Sequence, residues 1–173
     1  STPLCGPSRC EIMTGRYPFR TGGWTNQSAG NPSPQKEISI AKVLKQAGYT
    51  TCQAGKWRQM SATPGDWGFD EYVTDPTAGG WYWQKNYTKN GHGVENERDI
   101  YYPDAAHEFA MDFIRRNRER PFFLYYASPL VHSPILRTPD TKTDATDPAA
   151  LYNDNVAYLD KQVGNVAEEL DRL

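Results

Sequence analysis

Apolar residues recur at helical spacing in several stretches of the chain and gather into strand-like runs in two. Ile40, Val43, Leu44 and Ala47 fall on one face of a predicted helix. Ser39 is placed to cap its start and Gly48 to end it. A second helix opens at Asp104, with an apolar stripe of Ala106, Phe109, Ala110, Phe113 and Ile114. A third starts near Pro148. There Tyr152, Val156, Leu159, Val163, Val166, Leu170 and Leu173 alternate at spacings of four and three, which predicts a core-facing seam. A shorter helical run, Ser8 to Met13, stops at Gly15. Tyr49 to Ala54 and Pro121 to Ala127 read as strands. The second is apolar on both faces, as a central buried strand is. Thr25 to Gln35 and the stretch holding Pro129, Pro134 and Pro139 read as loops. Ser61 to Gly93 reads as irregular, with aromatics at Trp81, Tyr82, Trp83 and Tyr87.

Helix, strand, helix, strand, helix in this order predicts an α/β fold with a mainly parallel central sheet. Only two strong strands are visible, which makes that sheet thin. The chain starts at Ser1 without a Met and runs to Leu173 inside a helix with no cap. The expectation is an interior piece of a longer protein.

Composition narrows the partners. The 173 residues hold 19 basic and 21 acidic side chains, a net charge of −2. That balance excludes a general grip on polyanions, so neither nucleic acid nor an anionic membrane surface is an expected partner. No apolar run in the sequence approaches the roughly 20 residues that span a bilayer. Mean hydropathy is low at −0.77, yet aromatics at 13% argue for a packed core. The three cysteines, Cys5, Cys10 and Cys52, give no disulfide framework.

Three motifs carry candidate chemistry. Cys5-Gly6-Pro7-Ser8-Arg9, followed by Met13-Thr14-Gly15-Arg16, places a thiol just ahead of a helix start. Pro7 suits the first turn, and the exposed backbone N–H groups and helix dipole there favour an anion. Arg9 lies about one turn beyond Cys5 and can lean back toward it. A small buried Cys in a Pro-Ser turn is the plainer alternative. Gly55-Lys56-Trp57 follows a strand directly. Ligands of open α/β sheets bind at the carboxyl ends of strands, so Lys56 can meet an anion there; a solvated Lys is the alternative. Ser128-Pro129-Leu130-Val131-His132-Ser133-Pro134 follows the other strand. Of three His, His107 sits in a helix and reads as structural, and His92 in a Gly-flanked loop reads as solvated. His132 is the candidate.

Cys-x-Pro-Ser-Arg with a following Thr-Gly-Arg resembles the signature of the sulfatase family. Gly55-Lys56-Trp57, the His132-x-Pro134 pair, Gly68-Phe69-Asp70-Glu71-Tyr72 and Tyr158-Leu159-Asp160-Lys161-Gln162-Val163-Gly164 follow in the family's order. The resemblance implies an alkaline-phosphatase-like layered fold. Residues 1–173 would form part of a single catalytic domain, truncated at both ends. Cys5 would be oxidised to formylglycine by a formylglycine-generating enzyme, and its hydrate would attack the sulfur of a sulfate ester. Lys56 would meet the sulfate directly and Arg9 indirectly, and His132 would bind sulfate and protonate the leaving oxygen. Many members carry His after Gly-Lys-Trp; here Arg58 and Gln59 stand instead, so Arg58 would supply charge but no base.

The resemblance also implies a calcium ion, of whose ligands only the Cys5-derived group would lie in this chain. An Asp pair would precede Ser1 and an Asp-Asn-Gly segment would follow Leu173. Asn153-Asp154-Asn155, inside a helix, is no substitute. The stretch alone is therefore expected to have little sulfatase activity. The expected substrate is an aryl sulfate or a sulfated carbohydrate, and the expected location periplasmic, secreted or lysosomal. Asn26-Gln27-Ser28 and Asn86-Tyr87-Thr88 are glycosylation sequons. Three alternatives stay open. Cys10 and Arg16 have the Cys-x5-Arg spacing of a cysteine phosphatase. A phosphoesterase or phosphonate hydrolase could share the fold. An inactive variant could bind glycans through Trp81-Tyr82-Trp83.

Overall fold

The computed structural model describes residues 3–58, 60–75 and 82–173. Trp81 and Gln59 lie outside them. Strand β1 (Thr50–Gly55) is the middle strand of the parallel part of the sheet, with Thr51, Cys52, Gln53 and Ala54 fully buried. It pairs in parallel with β2 (Glu71–Thr74) on one side and β5 (Phe122–Ala127) on the other. A hairpin of β3 (Trp83–Lys89) and β4 (His92–Tyr101) is added antiparallel beyond β2, giving the order β4-β3-β2-β1-β5.

The expected α/β layout with a parallel part is therefore present, but among the described residues the sheet has five strands rather than two. Ser61 to Gly93 is not irregular throughout: it holds β2, β3 and the start of β4. The hairpin forms because Asn90 and Gly91 both adopt positive φ, 50° and 83°. That pair makes the two-residue turn whose twist matches the flanking strands. Asn90 also ties the turn to β2: its side-chain oxygen accepts from Tyr72 N–H at 2.6 Å, and its own N–H donates to Tyr72 C=O at 2.8 Å. Strand β5 is the edge of the described sheet and half-buried along most of its length, and the fully buried parallel strand is β1.

Helix α4 (Tyr102–Asn117) covers one face. It starts two residues before Asp104 because Pro103, lacking an N–H, fits its first turn. Its Ala106, Phe109, Ala110 and Phe113 pack on Cys52, Ala54 and Val73, and the Phe113 and Phe122 rings meet edge-on at 5.8 Å. Burial of a side chain such as Phe113 contributes about 1.5–3 kcal/mol. The other face is covered by α1 (Cys5–Thr14), the short α2 (Pro18–Thr21) beside it and α3 (Ile40–Gln46). There Met13, Ala41, Trp57, Trp67 and Phe69 pack against Phe123 and Tyr125. Alternate residues of β5 thus serve opposite layers.

Two helical faces point the other way from the sequence expectation. In α3, Ile40 and Val43 are exposed and Ala41 is the buried residue. Ser39 sets this rotation: it accepts from Lys42 N–H at 3.2 Å as the cap and its hydroxyl also donates to Trp67 C=O. In α5 (Pro148–Arg172), Tyr152, Val156, Val163, Leu170 and the following Leu173 are exposed. The inward face carries Asn155, Tyr158, Gln162 and Glu169. Each has a partner: Asn155 donates to Leu136 C=O (2.7 Å), Tyr158 to Asp104 (2.8 Å), Gln162 to Asp104 (3.1 Å), and Arg115 donates to Glu169 (2.9 Å). A polar face whose side chains find partners can be buried; among the described residues only the Asn155 side-chain oxygen on this face is left without one. Among the described residues no helix is long and apolar enough to cross a membrane.

Candidate functional site

The site begins where β1 and β5 end together. Gly55 has φ +104°, and a Cβ there would lie 2.2 Å from Ala127 C=O. Only glycine allows this approach. The next residue, Lys56, then donates its N–H to Ala127 C=O at 2.8 Å and leaves the sheet at its carboxyl end. Lys56 is 4% exposed.

Cys5 is the first residue of α1 rather than a residue ahead of it, and it is half-buried. Leu4 at the cap position offers no side-chain bond. Asn26 takes that place: its oxygen accepts from Gly6 N–H at 3.0 Å and from the Cys5 thiol at 3.4 Å. Arg9 does not lean back toward Cys5. Its Nη1 donates to Lys56 C=O at 2.9 Å and to the Tyr125 hydroxyl at 3.0 Å. The guanidinium thereby ties α1 to the ends of both strands, because those strand ends present oxygen acceptors where the helix delivers the cation.

Burial pushes the Lys56 ammonium below its ordinary value. Arg9 and Arg58 push it the same way, against Cys5 and Asp75, which favour its charge. Four side chains therefore act on Lys56 at once. Arg58 pairs through Nε with Asp75, whose side chain is fully buried. Asp75 also accepts from Trp57 N–H at 3.3 Å. The pair stands on the wall of a cavity of about 360 Å³, with Trp57, Tyr72 and Thr74 beside it.

His132 lies on the loop after β5 and is half-buried. Its backbone N–H and C=O both bond the Tyr82 hydroxyl, at 2.9 and 2.7 Å, and its Nδ1 lies 2.6 Å from Ser133 C=O. The structure thus gathers Cys5, Arg9, Lys56 and Arg58 around one strand end. Among the described residues no hydrogen bond joins His132 to Cys5, Arg9 or Lys56, and it stands on the adjoining loop.

Cys10 and Arg16 do not build an anion loop. Cys10 is fully buried inside α1, its thiol pushed up to about 11 by burial, with Sγ 3.4 Å from Ala29 C=O. Arg16 pairs instead with Glu37 at 2.8 Å. His107 lies between the Tyr126 hydroxyl (3.4 Å) and Asn165 (3.5 Å), and burial lowers its pKa, as a structural His allows. His92 opens β4 rather than a loop and is exposed.

Among the described residues no group of three or more His, Cys, Asp or Glu is placed to hold a metal. Among the described residues the groups found against Cys5 are the Asn26 amide and Lys56, a set without the carboxylates that calcium requires. The described residues do not fit a calcium site. Asn155 faces the core and bonds backbone carbonyls.

Sequence reasoning missed Asn26, Asp75, Tyr82 and Tyr125 as parts of this assembly. Asn26 reads as a sequon, Tyr125 as strand core and Tyr82 as one aromatic among several. Asp75 carries no local signal. The Asn90-Gly91 turn was the available clue to the hairpin that delivers Tyr82.

A family model described as Sulfatase matches residues 1–173. Human N-acetylgalactosamine-6-sulfatase is 29% identical over 208 residues, covering 100% of this chain and 38% of that protein. The solved structure of Ps i-CgsB in complex with k-i-k-neocarrahexaose is 26% identical, with a TM-score of 0.76 over 99% of this chain and 45% of that one. A protein of the alkaline phosphatase superfamily from Vibrio parahaemolyticus, 19% identical, shares the fold alone, with a TM-score of 0.51 over 98% of this chain and 40% of that one. The chain spans less than half the length of these relatives. With a family match running from its first residue to its last on a fold that solved relatives share, the chain belongs to the sulfatase family.

Proposed function

We propose that this chain supplies the nucleophile, one lysine and one histidine of a sulfuric ester hydrolase, as part of a single larger catalytic domain. The observation that carries this reading is the contact of α1 with the β1 end. Arg9, four residues after Cys5, grips the backbone of Lys56, while Cys5 lies close enough to favour the Lys56 charge. Matured to a formylglycine hydrate, residue 5 supplies an oxygen nucleophile that takes the sulfuryl group from the ester.

Lys56 is a desolvated cation at the carboxyl end of β1, where charge on the sulfuryl oxygens is felt strongly. Arg9 acts through Lys56 and through the helix it holds. Arg58, kept in place by Asp75, offers a permanent cation where many members have His. His132 donates the proton that the leaving alcohol needs. Calcium, which the resemblance implies, would draw its carboxylates from outside the described residues.

The substrate class is a sulfated carbohydrate. Its support is that one similar protein is named for sulfated N-acetylgalactosamine and another was solved with a neocarrahexaose. Maturation by a formylglycine-generating enzyme and a periplasmic, secreted or lysosomal location belong to the same reading.

The test is to express the full reading frame containing this chain together with a formylglycine-generating enzyme. Mass spectrometry of the peptide carrying residue 5 should show the aldehyde. The protein should release sulfate from a sulfated sugar or an aryl sulfate, and Cys5→Ala should abolish release. An unconverted Cys5 with glycan binding but no turnover, or turnover of phosphate esters alone, overturns the reading.

A further inference from the structure

Tyr82 is fully buried, and its one oxygen spans both backbone polar groups of a residue 50 positions away. It donates to His132 C=O at 2.7 Å and accepts from His132 N–H at 2.9 Å. We propose that Tyr82 is a positioning residue of the sulfatase reaction, fixing where the His132 imidazole stands. The proposal rests on the reading of His132 as the group that protonates the leaving alcohol.

The physical case starts from the loop. Residues between Ala127 and Pro148 form no helix or strand, so no ladder of backbone bonds fixes His132. A buried ring with both of its hydroxyl valences used is a rigid substitute. The Tyr82 ring lies at 6.1 Å and 25° from Tyr101, which meets Tyr158 of α5 edge-on at 5.5 Å. Leu130, from the same loop, is packed into this cluster. The neighbouring Trp83 ties the loop a second time, its Nε1 donating to Arg137 C=O at 2.9 Å. The hairpin start therefore clamps the loop at residues 132 and 137.

The clamp also bears on the imidazole itself. Nδ1 lies 2.6 Å from Ser133 C=O, which can only accept, so Nδ1 carries the hydrogen. That leaves Nε2 as the nitrogen that can face the leaving oxygen. Fixing the backbone of residue 132 fixes the direction of this nitrogen, and a misplacement of about 1 Å at a reacting group costs about 100-fold in rate.

Tyr101 provides the control. It is 5% exposed in the same cluster, but among the described residues its hydroxyl has no hydrogen-bond partner. Tyr82→Phe and Tyr101→Phe each remove one buried oxygen from one aromatic cluster. In the matured protein from the full reading frame, Tyr82→Phe should lower kcat/KM about 10–100-fold. Tyr101→Phe should leave it within about twofold. In a His132→Ala background, Tyr82→Phe should change kcat/KM by less than about threefold, because its effect runs through the imidazole.

A Tyr82→Phe protein as active as wild type overturns the proposal, and so does an equal loss in the His132→Ala background. Wild-type activity in His132→Ala removes the role of His132 and the proposal with it. No sulfatase activity in the matured wild type refutes the functional reading instead. Should Tyr82→Phe not fold, amide hydrogen exchange of the wild type decides: the His132 N–H should be protected well above its loop neighbours. Exchange at an ordinary loop rate overturns the clamp.

Discussion

Gly55 and Lys56 show how a single backbone position sets up chemistry at the next. The 2.2 Å that separates a Gly55 Cβ from Ala127 C=O is far inside any real contact, and φ is in the left-handed region as well. Gly55→Ala should cost more than about 3 kcal/mol in denaturant unfolding. At Lys56 the expectation is catalytic. Its depressed pKa means that the charge is lost at a lower pH than for an ordinary lysine, so kcat/KM should fall early on the alkaline side. Lys56→Arg should carry that limb to higher pH, because a guanidinium does not titrate there; an unmoved limb assigns it to another group. Lys56→Ala should lose about 100–1000-fold in kcat/KM. Cys5, Lys56 and His132 can be named as candidates from the sequence because their motifs are local. Asn26 and Tyr125 cannot, since they meet Gly6 and Arg9 from 20 and 116 residues away.

Elements are held to one another by side chains at their ends. Asp70, just before β2, accepts from Thr51 N–H (2.9 Å) and the Thr51 hydroxyl (3.0 Å) and pairs with Lys45 at 2.5 Å. Burial pushes its carboxyl up, but Lys45 and Thr51 outweigh this and hold it below the usual range. A depressed folded pKa contributes stability above the unfolded value of about 3.9, lost as pH falls through the folded value. Asp70→Asn should therefore cost about 1–2 kcal/mol at neutral pH. The gap between urea midpoints of wild type and variant should narrow as pH falls below the unfolded value and through the lower folded one; a gap that does not narrow assigns the loss to shape rather than charge. The hairpin was illegible for a related reason. Strand β4 is exposed along most of its length and carries Glu95, Asn96, Glu97, Arg98 and Asp99, so it shows no apolar alternation. Its strand state comes from pairing with β3 and from the Asn90-Gly91 turn, not from a buried face.

At the scale of the molecule, the layering of helices on a parallel centre could be read from the order of elements. The rotation of α5 could not. Its apolar positions have the better helical spacing, but Asn155, Gln162 and Glu169 find partners on α4, on β5 and on the loop before α5, and those bonds are written nowhere in the local sequence. In the chain as folded here, Val156→Lys and Val163→Lys should each shift stability by less than about 0.5 kcal/mol. Gln162→Ala should cost about 1–3 kcal/mol, because Asp104 and the Tyr126 hydroxyl lose a buried partner. Denaturant midpoints rank the three, and the reverse order would restore the apolar seam as the inward face.

The grip of Arg9 on Lys56 and Tyr125 has a consequence in time. Its two acceptors lie 47 and 116 residues further along the chain. At about 5–20 residues per second, a ribosome takes on the order of ten seconds to pass from Arg9 to Tyr125. Contacts of such separation also close late once the chain is complete. Throughout that interval the Cys5–Arg9 segment is a nascent peptide with its thiol accessible. In the folded chain Cys5 is half-buried, with its thiol on Asn26. On the proposed reading, an enzyme that matures Cys5 would meet this segment most freely before β5 arrives and Arg9 is held at both acceptors.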